Sequence, residues 1–472
     1  MNHSVSNLQV CWFRTDLRIF DNPALAQAIK AGSALAVYIA TPNQWQQHDD
    51  APIKLDFWRR NLMELELELK RLNIELLIFS VADYSKIPAL FAELHGKLAF
   101  KGLYYNREYP INERRRDELV DALLAERQVV INHYDDQVLL PPQNMLNRSG
   151  KPFKVFTPFA KALRRQVEDS NQVLTEPPKP LRGNALRLQF ESISRRCEIA
   201  DIPWPQAQTV WQDQWPAGEL NAVTRLKKFV ESRISSYAEA RDFPHEEATS
   251  VLSPYLASGV LSVGTCWRST EMIGENDGKK AWRNELHWRD FYRYIMYHFT
   301  RVSMGRAFRE STNSVPWQHD EESFTSWCEG QTGYPLVDAG MRQLKETGWM
   351  HNRLRMITAM FLCKHLLIDW RWGERWFMQN LIDGDFASNN GGWQWSASTG
   401  VDAVPYFRIF SPVRQSQRFD PDAKFIRNYV PEIKNLHNKQ IHEPENDNSL
   451  DYPTPMIDHK FARERAIQAF KT

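Results

Sequence analysis

Leu8-Gln9-Val10-Cys11-Trp12-Phe13 is a short apolar run that gives way at once to the polar Arg14-Thr15-Asp16. Without polar alternation, a run of this length reads as a strand buried on both faces. Four more such runs follow at 34–39, 76–79, 102–105 and 129–131, with longer amphipathic segments between them. Strand–helix alternation predicts a parallel sheet covered by helices. One cover is explicit, because Trp58, Leu62, Leu65, Leu69 and Leu72 recur at three- and four-residue spacing and predict a long helix over 57–72.

Past residue 135 the pattern changes. Periodicity weakens over 136–215, and Pro141-Pro142, Pro177-Pro178-Lys179-Pro180, Trp204-Pro205 and Trp215-Pro216 interrupt it, which predicts an extended linker draped over the protein. Beyond 215 helical periods dominate, as in Arg353, Met356, Ile357, Met360, Phe361, Lys364 and Leu367. The expected architecture is α/β: an N-terminal parallel-sheet domain (1–135), a long interdomain linker (136–215) and an all-helical domain (216–472).

With 42% hydrophobic and 25% charged residues in 472, the chain has the composition of a soluble protein of two or three domains. A net charge of +1 means that a polyanion must be met by a local basic surface. The five cysteines form no Cys-x-x-Cys pair, so neither a disulfide framework nor a structural zinc site is expected, and a reducing cytoplasm fits. No signal-peptide pattern or membrane-length apolar run is present, so membrane residence is not expected. Neither Gly-x-Gly-x-x-Gly after the first strand nor a Walker lysine loop occurs. His245-Glu246-Glu247-Ala248-Thr249 ends in threonine where a zincin needs histidine, so no metal site is assigned.

Candidate chemistry gathers in the helical half. Asp383-Gly384-Asp385-Phe386-Ala387-Ser388-Asn389-Asn390-Gly391-Gly392-Trp393-Gln394-Trp395 packs carboxylates, amides, glycines and indoles into thirteen positions, a pattern suited to a large polar-edged aromatic ligand. Thr249, Ser250 and Ser253 precede a helical run, where they can cap it or offer hydroxyls and N–H groups to a phosphate. Trp282, Glu285 and Arg289 share one helix face with Trp288 displaced around it, and Asn352, Arg355 and Met356 share another. Such a face can grip a ligand; Glu285 and Arg289 can equally pair along the helix, for a few tenths of a kcal/mol if exposed. Ten of the seventeen tryptophans lie between 282 and 395, a density beyond core filling alone, although any one of them can be core.

These segments, with Tyr237-Ala238-Glu239-Ala240-Arg241, Trp12-Phe13-Arg14-Thr15-Asp16-Leu17-Arg18 and Gly333-Tyr334-Pro335-Leu336-Val337-Asp338, resemble the photolyase/cryptochrome family over nearly the full length, most closely its class I cyclobutane pyrimidine dimer photolyases. The resemblance implies that the helical domain binds FAD, working as FADH⁻, through Tyr237, Thr249, Ser250, Val251, Leu252, Ser253, Trp282, Glu285, Arg289, Asn352, Arg355, Asp383, Gly384, Asp385 and Asn389. Asn389 matches the residue facing flavin N5. Trp393, Trp370 and Trp317 match an electron chain from the flavin to the surface. Glu285, Trp288, Met356 and Trp395 match the walls of the lesion site, and Arg241, Arg353 and Arg408, with Trp288 and Trp395, match contacts to DNA. The arginines have an alternative in ion pairs with Asp242, Asp383 or Asp402. In the N-terminal domain Asn112 and Glu113 match binders of a 5,10-methenyltetrahydrofolate antenna; Asn112 can instead cap a helix, and 299–306 lacks the Cys-Lys pair that completes the folate clasp in relatives.

The activity implied is a light-driven lyase reaction on ultraviolet-damaged DNA. Excited FADH⁻ gives an electron to a flipped cyclobutane pyrimidine dimer, the ring opens, and the electron returns. A monomer is the family expectation. Two rivals are light signalling, which needs no lesion site, and repair of the (6-4) photoproduct, whose enzymes carry more histidine than His351-Asn352-Arg353-Leu354-Arg355-Met356. A purely structural DNA-binding role leaves the flavin-like residues unexplained.

Overall fold

The computed structural model describes residues 7–169, 174–176, 178–181, 196–206, 208–444 and 450–471. Five parallel strands, β1 (Leu8–Phe13), β2 (Ser33–Ala40), β3 (Leu76–Ser80), β4 (Gly102–Asn106) and β5 (Val130–Tyr134), form one sheet in the order β3-β2-β1-β4-β5. The chain builds outward from β1 to β3 and returns to the other side of β1 for β4, so the winding reverses between β1 and β4. That reversal opens a crevice at the carboxyl ends of the two strands, the usual ligand position in such sheets.

Side-chain alternation divides the strands between two cores. Cys11, Phe13, Ala36, Tyr38 and Ile78 join one side with the helix Pro52–Arg71, five residues longer at its start than its apolar spacing predicts because Pro52 suits a first turn. Val10, Trp12, Val37 and Leu77 join the other side with Leu90, Phe91, Val120 and Leu124 from the helices Ile87–Leu98 and Ile111–Ala125.

The connecting stretch is not wholly extended. It holds a fourteen-residue helix, Phe156–Asp169, which buries Phe156, Phe159, Ala160, Leu163 and Val167 and packs on the helix Asp277–His298. Its three- and four-residue spacing is present in the sequence, but the prolines on either side mask it. Pro177 and residues 182–195 of the expected linker lie outside the described residues.

The helical half is organised around the 22-residue Asp277–His298 helix, capped by Asn276 Oδ1 accepting from the Lys279 amide at 2.8 Å. The helix Phe386–Ser396 packs against it and against Asn352–Met360 and Trp370–Asn380. The single periodic run expected over 353–367 departs from a regular α-helix: after Met360 the coil widens to a π-type turn over Phe361–Leu366 and stops at Leu367, whose φ of 56° is left-handed. The helix His459–Ala469 packs back onto that wide turn. Among the described residues no helix is long and apolar enough to cross a membrane.

Candidate active site

The loop Asp383-Gly384-Asp385 links the helices Trp370–Asn380 and Phe386–Ser396, and each carboxylate is tied to a different neighbour. Arg355 donates Nη2 to both oxygens of Asp383, at 3.0 and 2.7 Å, and its Nε to the Met350 carbonyl at 2.8 Å. Asp385 caps the helix after it, accepting from the Ser388 amide at 2.9 Å, and takes Arg293 Nη2 at 3.0 Å. Burial would raise the Asp385 pKa, but the Arg293 charge and the Ser388 hydrogen bonds outweigh it and hold the carboxyl below its ordinary range.

From that cap the helix presents Asn389 and, one turn on, Gly392. Asn389 donates Nδ2 to the Glu374 carbonyl at 2.9 Å, so its amide orientation is fixed by a main-chain acceptor and Oδ1 faces away as the acceptor left over. A Cβ on Gly392 would meet nothing within 4 Å, whereas one on Gly391 would run into the Tyr292 ring at 2.1 Å. The diglycine therefore has two uses: Gly391 lets the helix close on Asp277–His298, and Gly392 leaves space beside Asn389. Trp393 points inward, 2% exposed, edge-on to Phe377 at 4.9 Å and to Trp327 at 6.0 Å.

On the long helix, Trp282 Nε1 reaches Ser250 Oγ at 3.3 Å, and Trp349 Nε1 reaches Ser253 Oγ at 3.2 Å. The capping alternative for these hydroxyls fails: the helix Ser253–Ala257 is one turn long, and Leu252 at its cap makes no side-chain cap bond. Val251 holds a φ of 49°, strained for a β-branched residue, and turns the 249–253 backbone there. Tyr237 lies buried nearby, under the Arg241 guanidinium. Intrahelical pairing of Glu285 with Arg289 does not form. Glu285 Oε1 pairs with Arg241 at 2.6 Å, while Arg289 donates to the Gln137 carbonyl and faces Asp290 at 3.6 Å. Burial, reinforced by the like charge of Arg293, lowers the Arg289 pKa to about 10.

Nothing in the sequence singles out Arg293, although it continues the Glu285–Arg289 face by one more turn. It is 4% exposed and keeps Nε and Nη1 without partners. Two neighbouring buried guanidiniums, free N–H groups, a strained hydroxyl-bearing turn and a gap at Gly392 suit an anionic dinucleotide with a flat ring, so these residues fit FAD.

The remaining candidates fall into three groups. Trp393, Trp370 and the half-buried Trp317 belong to one apolar cluster, which also contains Trp327, and Trp317 is edge-on to Phe470 at 5.7 Å. Trp288, Met356 and Trp395 are half-buried and Asn352 is exposed; Trp288 lies flat on Phe156, centroids 3.6 Å apart and planes 6° apart. Arg353 pairs with Asp242 at 2.6 Å, Arg241 also faces Asp242 at 3.8 Å, and Arg408 is exposed. Asp383 and Asp402 are not their partners: the first holds Arg355, the second caps the Phe156 amide at 3.0 Å.

A cavity of about 410 Å³ opens between the sheet's carboxyl edge and the helical half, lined by Trp12, His48, Asn112, Glu113, Ser303 and Arg375 among others, and it reaches Arg293, Gly384 and Asp385 of the loop region just described. Asn112 does not cap the Ile111–Ala125 helix, where Pro110 stands at the cap; its Nδ2 lies 3.1 Å from His48 Nε2. Glu113 accepts from Tyr84 at 3.2 Å and faces His48 at 3.6 Å, and burial raises its pKa against the pull of His48. In place of a Cys-Lys pair, 299–306 offers Ser303, whose Oγ accepts the Ile111 amide at 2.8 Å.

Comparison with known proteins accords with this arrangement. Residues 9–180 match the family model described as DNA photolyase, and residues 282–472 match that described as the FAD binding domain of DNA photolyase. The deoxyribodipyrimidine photo-lyase of Vibrio cholerae is 43% identical, over 98% of this chain and 99% of its own. Among solved structures, a bacterial class III photolyase from Agrobacterium tumefaciens superposes with a TM-score of 0.86 at 33% identity, covering 98% of this chain and 97% of its own. The Synechocystis cryptochrome superposes with a TM-score of 0.87 at 29% identity, covering 99% and 100%. Matched in order by both family models and along its length by these relatives, the chain belongs to the DNA photolyase family.

Proposed function

We propose that this photolyase, a light-dependent DNA repair lyase, reverses cyclobutane pyrimidine dimers in ultraviolet-damaged DNA, with the dimer received by Glu285, Trp288, Met356 and Trp395. The observation that carries the reading is Asn389. Its N–H is committed to the Glu374 carbonyl at 2.9 Å, which leaves an amide oxygen as the acceptor beside the open space at Gly392. An amide acceptor suits a flavin protonated at N5, whereas a carboxylate would set a second negative charge against a reduced, anionic ring. FAD held there in its reduced form would supply light-driven one-electron chemistry that is redox-neutral overall.

The chain's own residues select and hold the lesion. A dimer stacks and pairs badly, so drawing it out of the duplex costs less than drawing out normal bases. Trp288, held flat against Phe156, gives the extruded dimer a rigid apolar wall, and Met356 gives a softer one. Glu285 is oriented by its 2.6 Å bond to Arg241 and meets the polar edge of a dimer base. Arg241, Arg353 and Arg408 supply phosphate contacts, which position without reading sequence. Trp393, Trp370 and Trp317 serve to return oxidised flavin to its working state. Asn112 and Glu113 hold a methenyltetrahydrofolate antenna in the interdomain cavity.

The test is lesion loss in ultraviolet-treated oligo(dT) by the reduced protein, in blue light and in darkness. Restoration of thymines in light alone is the expected result. Bound reduced FAD without repair would place the protein with light-signalling relatives or with another lesion. Glu285→Ala is expected to keep its flavin and to lower repair per absorbed photon, because the charge developing on the dimer then has no polar partner there; an unchanged yield would remove Glu285 from the lesion site.

A further inference from the structure

The turn between the helices Pro42–Gln47 and Pro52–Arg71 sends three consecutive side chains to three different places. His48 meets Asn112 and Glu113. Asp49 accepts from Gln379 at 2.8 Å and faces Arg375 at 3.5 Å, both on the helix Trp370–Asn380. Asp50 holds Lys54 Nζ at 2.5 Å, and the same ammonium crosses to the helical half and donates to the Gly384 carbonyl at 2.6 Å. Lys54 is only 6% exposed, and the Trp58 ring lies 4.8 Å from its charge. Gly384 is the middle residue of the 383–385 loop, whose flanking carboxylates are held by Arg355 and Arg293 from the helical half. Of these ties only the one on the Gly384 carbonyl comes from the α/β half; the Gly384 amide donates to the Leu381 carbonyl at 3.2 Å.

We propose that Lys54 is a positioning residue for the flavin: through the Gly384 carbonyl it sets the orientation of the Asp383-Gly384-Asp385 backbone, and thereby of the helix that carries Asn389. The proposal rests on the reading of that loop and Asn389 as flavin-holding. A peptide carbonyl bound by a buried ammonium cannot rotate without breaking a charge-assisted hydrogen bond, which is worth more than an ordinary one. With Asp383 and Asp385 fixed on either side, the peptide planes between them have one orientation. Without Lys54 the loop keeps its two carboxylate ties and the Gly384 amide's bond to the Leu381 carbonyl at 3.2 Å, but loses the tie on the Gly384–Asp385 peptide.

Removing the lysine alone would strand Asp50, so the decisive variant replaces both charges, Lys54→Met with Asp50→Asn, and Lys54→Gln serves as a second variant that shortens the reach. In the FAD-loaded protein, flavin release is followed by its rise in fluorescence, and the environment of the bound ring by its visible band structure and midpoint potential. Both variants are expected to release flavin about fivefold faster or more, the effect of roughly one kcal/mol, and to shift the potential. Lys54→Arg, which can still reach the carbonyl, is expected to restore both. Release and potential unchanged in both variants, while Asp383→Asn loses flavin, would overturn the proposal and leave the loop's role intact. Unchanged flavin binding in Asp383→Asn would overturn the reading of the loop and the proposal with it.

Discussion

Glu374 bears on the site twice: its main-chain carbonyl takes the Asn389 amide and its carboxylate takes the Asn390 amide at 2.8 Å. Burial pushes its pKa up to about 7, with the Asn390 hydrogen bond pulling the other way. An acid whose folded value lies above its unfolded one keeps a proton that the unfolded chain has lost, so stability declines as pH rises from 4.5 to about 7, and the deficit then persists. Glu374→Gln, neutral at every pH, is expected to match the parent near pH 4.5 and to exceed it at pH 8 by up to about 3 kcal/mol. Melting temperatures across that range read this as a gap opening with pH. A gap that stays constant would mean that Glu374 is ionised in the fold. Nothing in the sequence marks this residue, because its importance comes from a carbonyl and from partners fifteen and sixteen positions away. Asn389 is legible, since an amide pair before a diglycine has few purposes other than close approach to a ligand.

At the scale of elements, the helices Trp370–Asn380 and Phe386–Ser396 meet at Gly373, where a Cβ would stand 2.0 Å from the Trp393 ring. Alanine in place of an interior helical glycine ordinarily gains about 1 kcal/mol in helix propensity. Here the indole is rigid and fully enclosed, and overpacking of such a site costs about 1–3 kcal/mol, so the clash prevails. Gly373→Ala is expected to lower the melting temperature and, by displacing Trp393, to slow light-driven reduction of oxidised flavin while repair by chemically reduced protein persists. A variant that melts higher than its parent would show that the two helices separate easily. Trp317→Phe should also block photoreduction and spare repair, without the loss of stability; equal photoreduction would remove Trp317 from the chain. The strands are readable because each is a short apolar run between polar turns; the first has the expected bounds and the other four differ from theirs by one to three residues at an end. The wide turn at 361–366 is not readable: all six of its residues are buried, so no exposed face gives a periodicity that would distinguish it.

Over the whole molecule a net charge of +1 leaves no general attraction for DNA, and affinity must come from few, local cations. Two of the three candidates are already engaged: Arg241 is held by Glu285 at 2.6 Å and Arg353 by Asp242 at 2.6 Å, whereas Arg408 is exposed and pairs with no carboxylate among the described residues. This separation is invisible in the sequence, which offers each arginine an acidic neighbour and cannot say which pairs the fold closes. The two-part architecture is legible from periodicity, but ties across it, such as Lys54 to Gly384, join residues 330 positions apart and leave no local trace. The difference among the arginines is measurable. An arginine bound to a phosphate displaces condensed counterions, so the slope of log affinity against log salt changes by about one for each such arginine removed. Arg408→Ala is expected to lower that slope by about one for damaged and undamaged duplex alike, and to leave the preference for the lesion unchanged. Arg241→Ala should instead reduce the preference, because Glu285 loses the partner that orients it and becomes an unpaired charge beside the lesion site. Should Arg408→Ala leave the slope unchanged, the damaged strand would have to run over the Asp242-paired face, and the salt dependence would fall to Arg353.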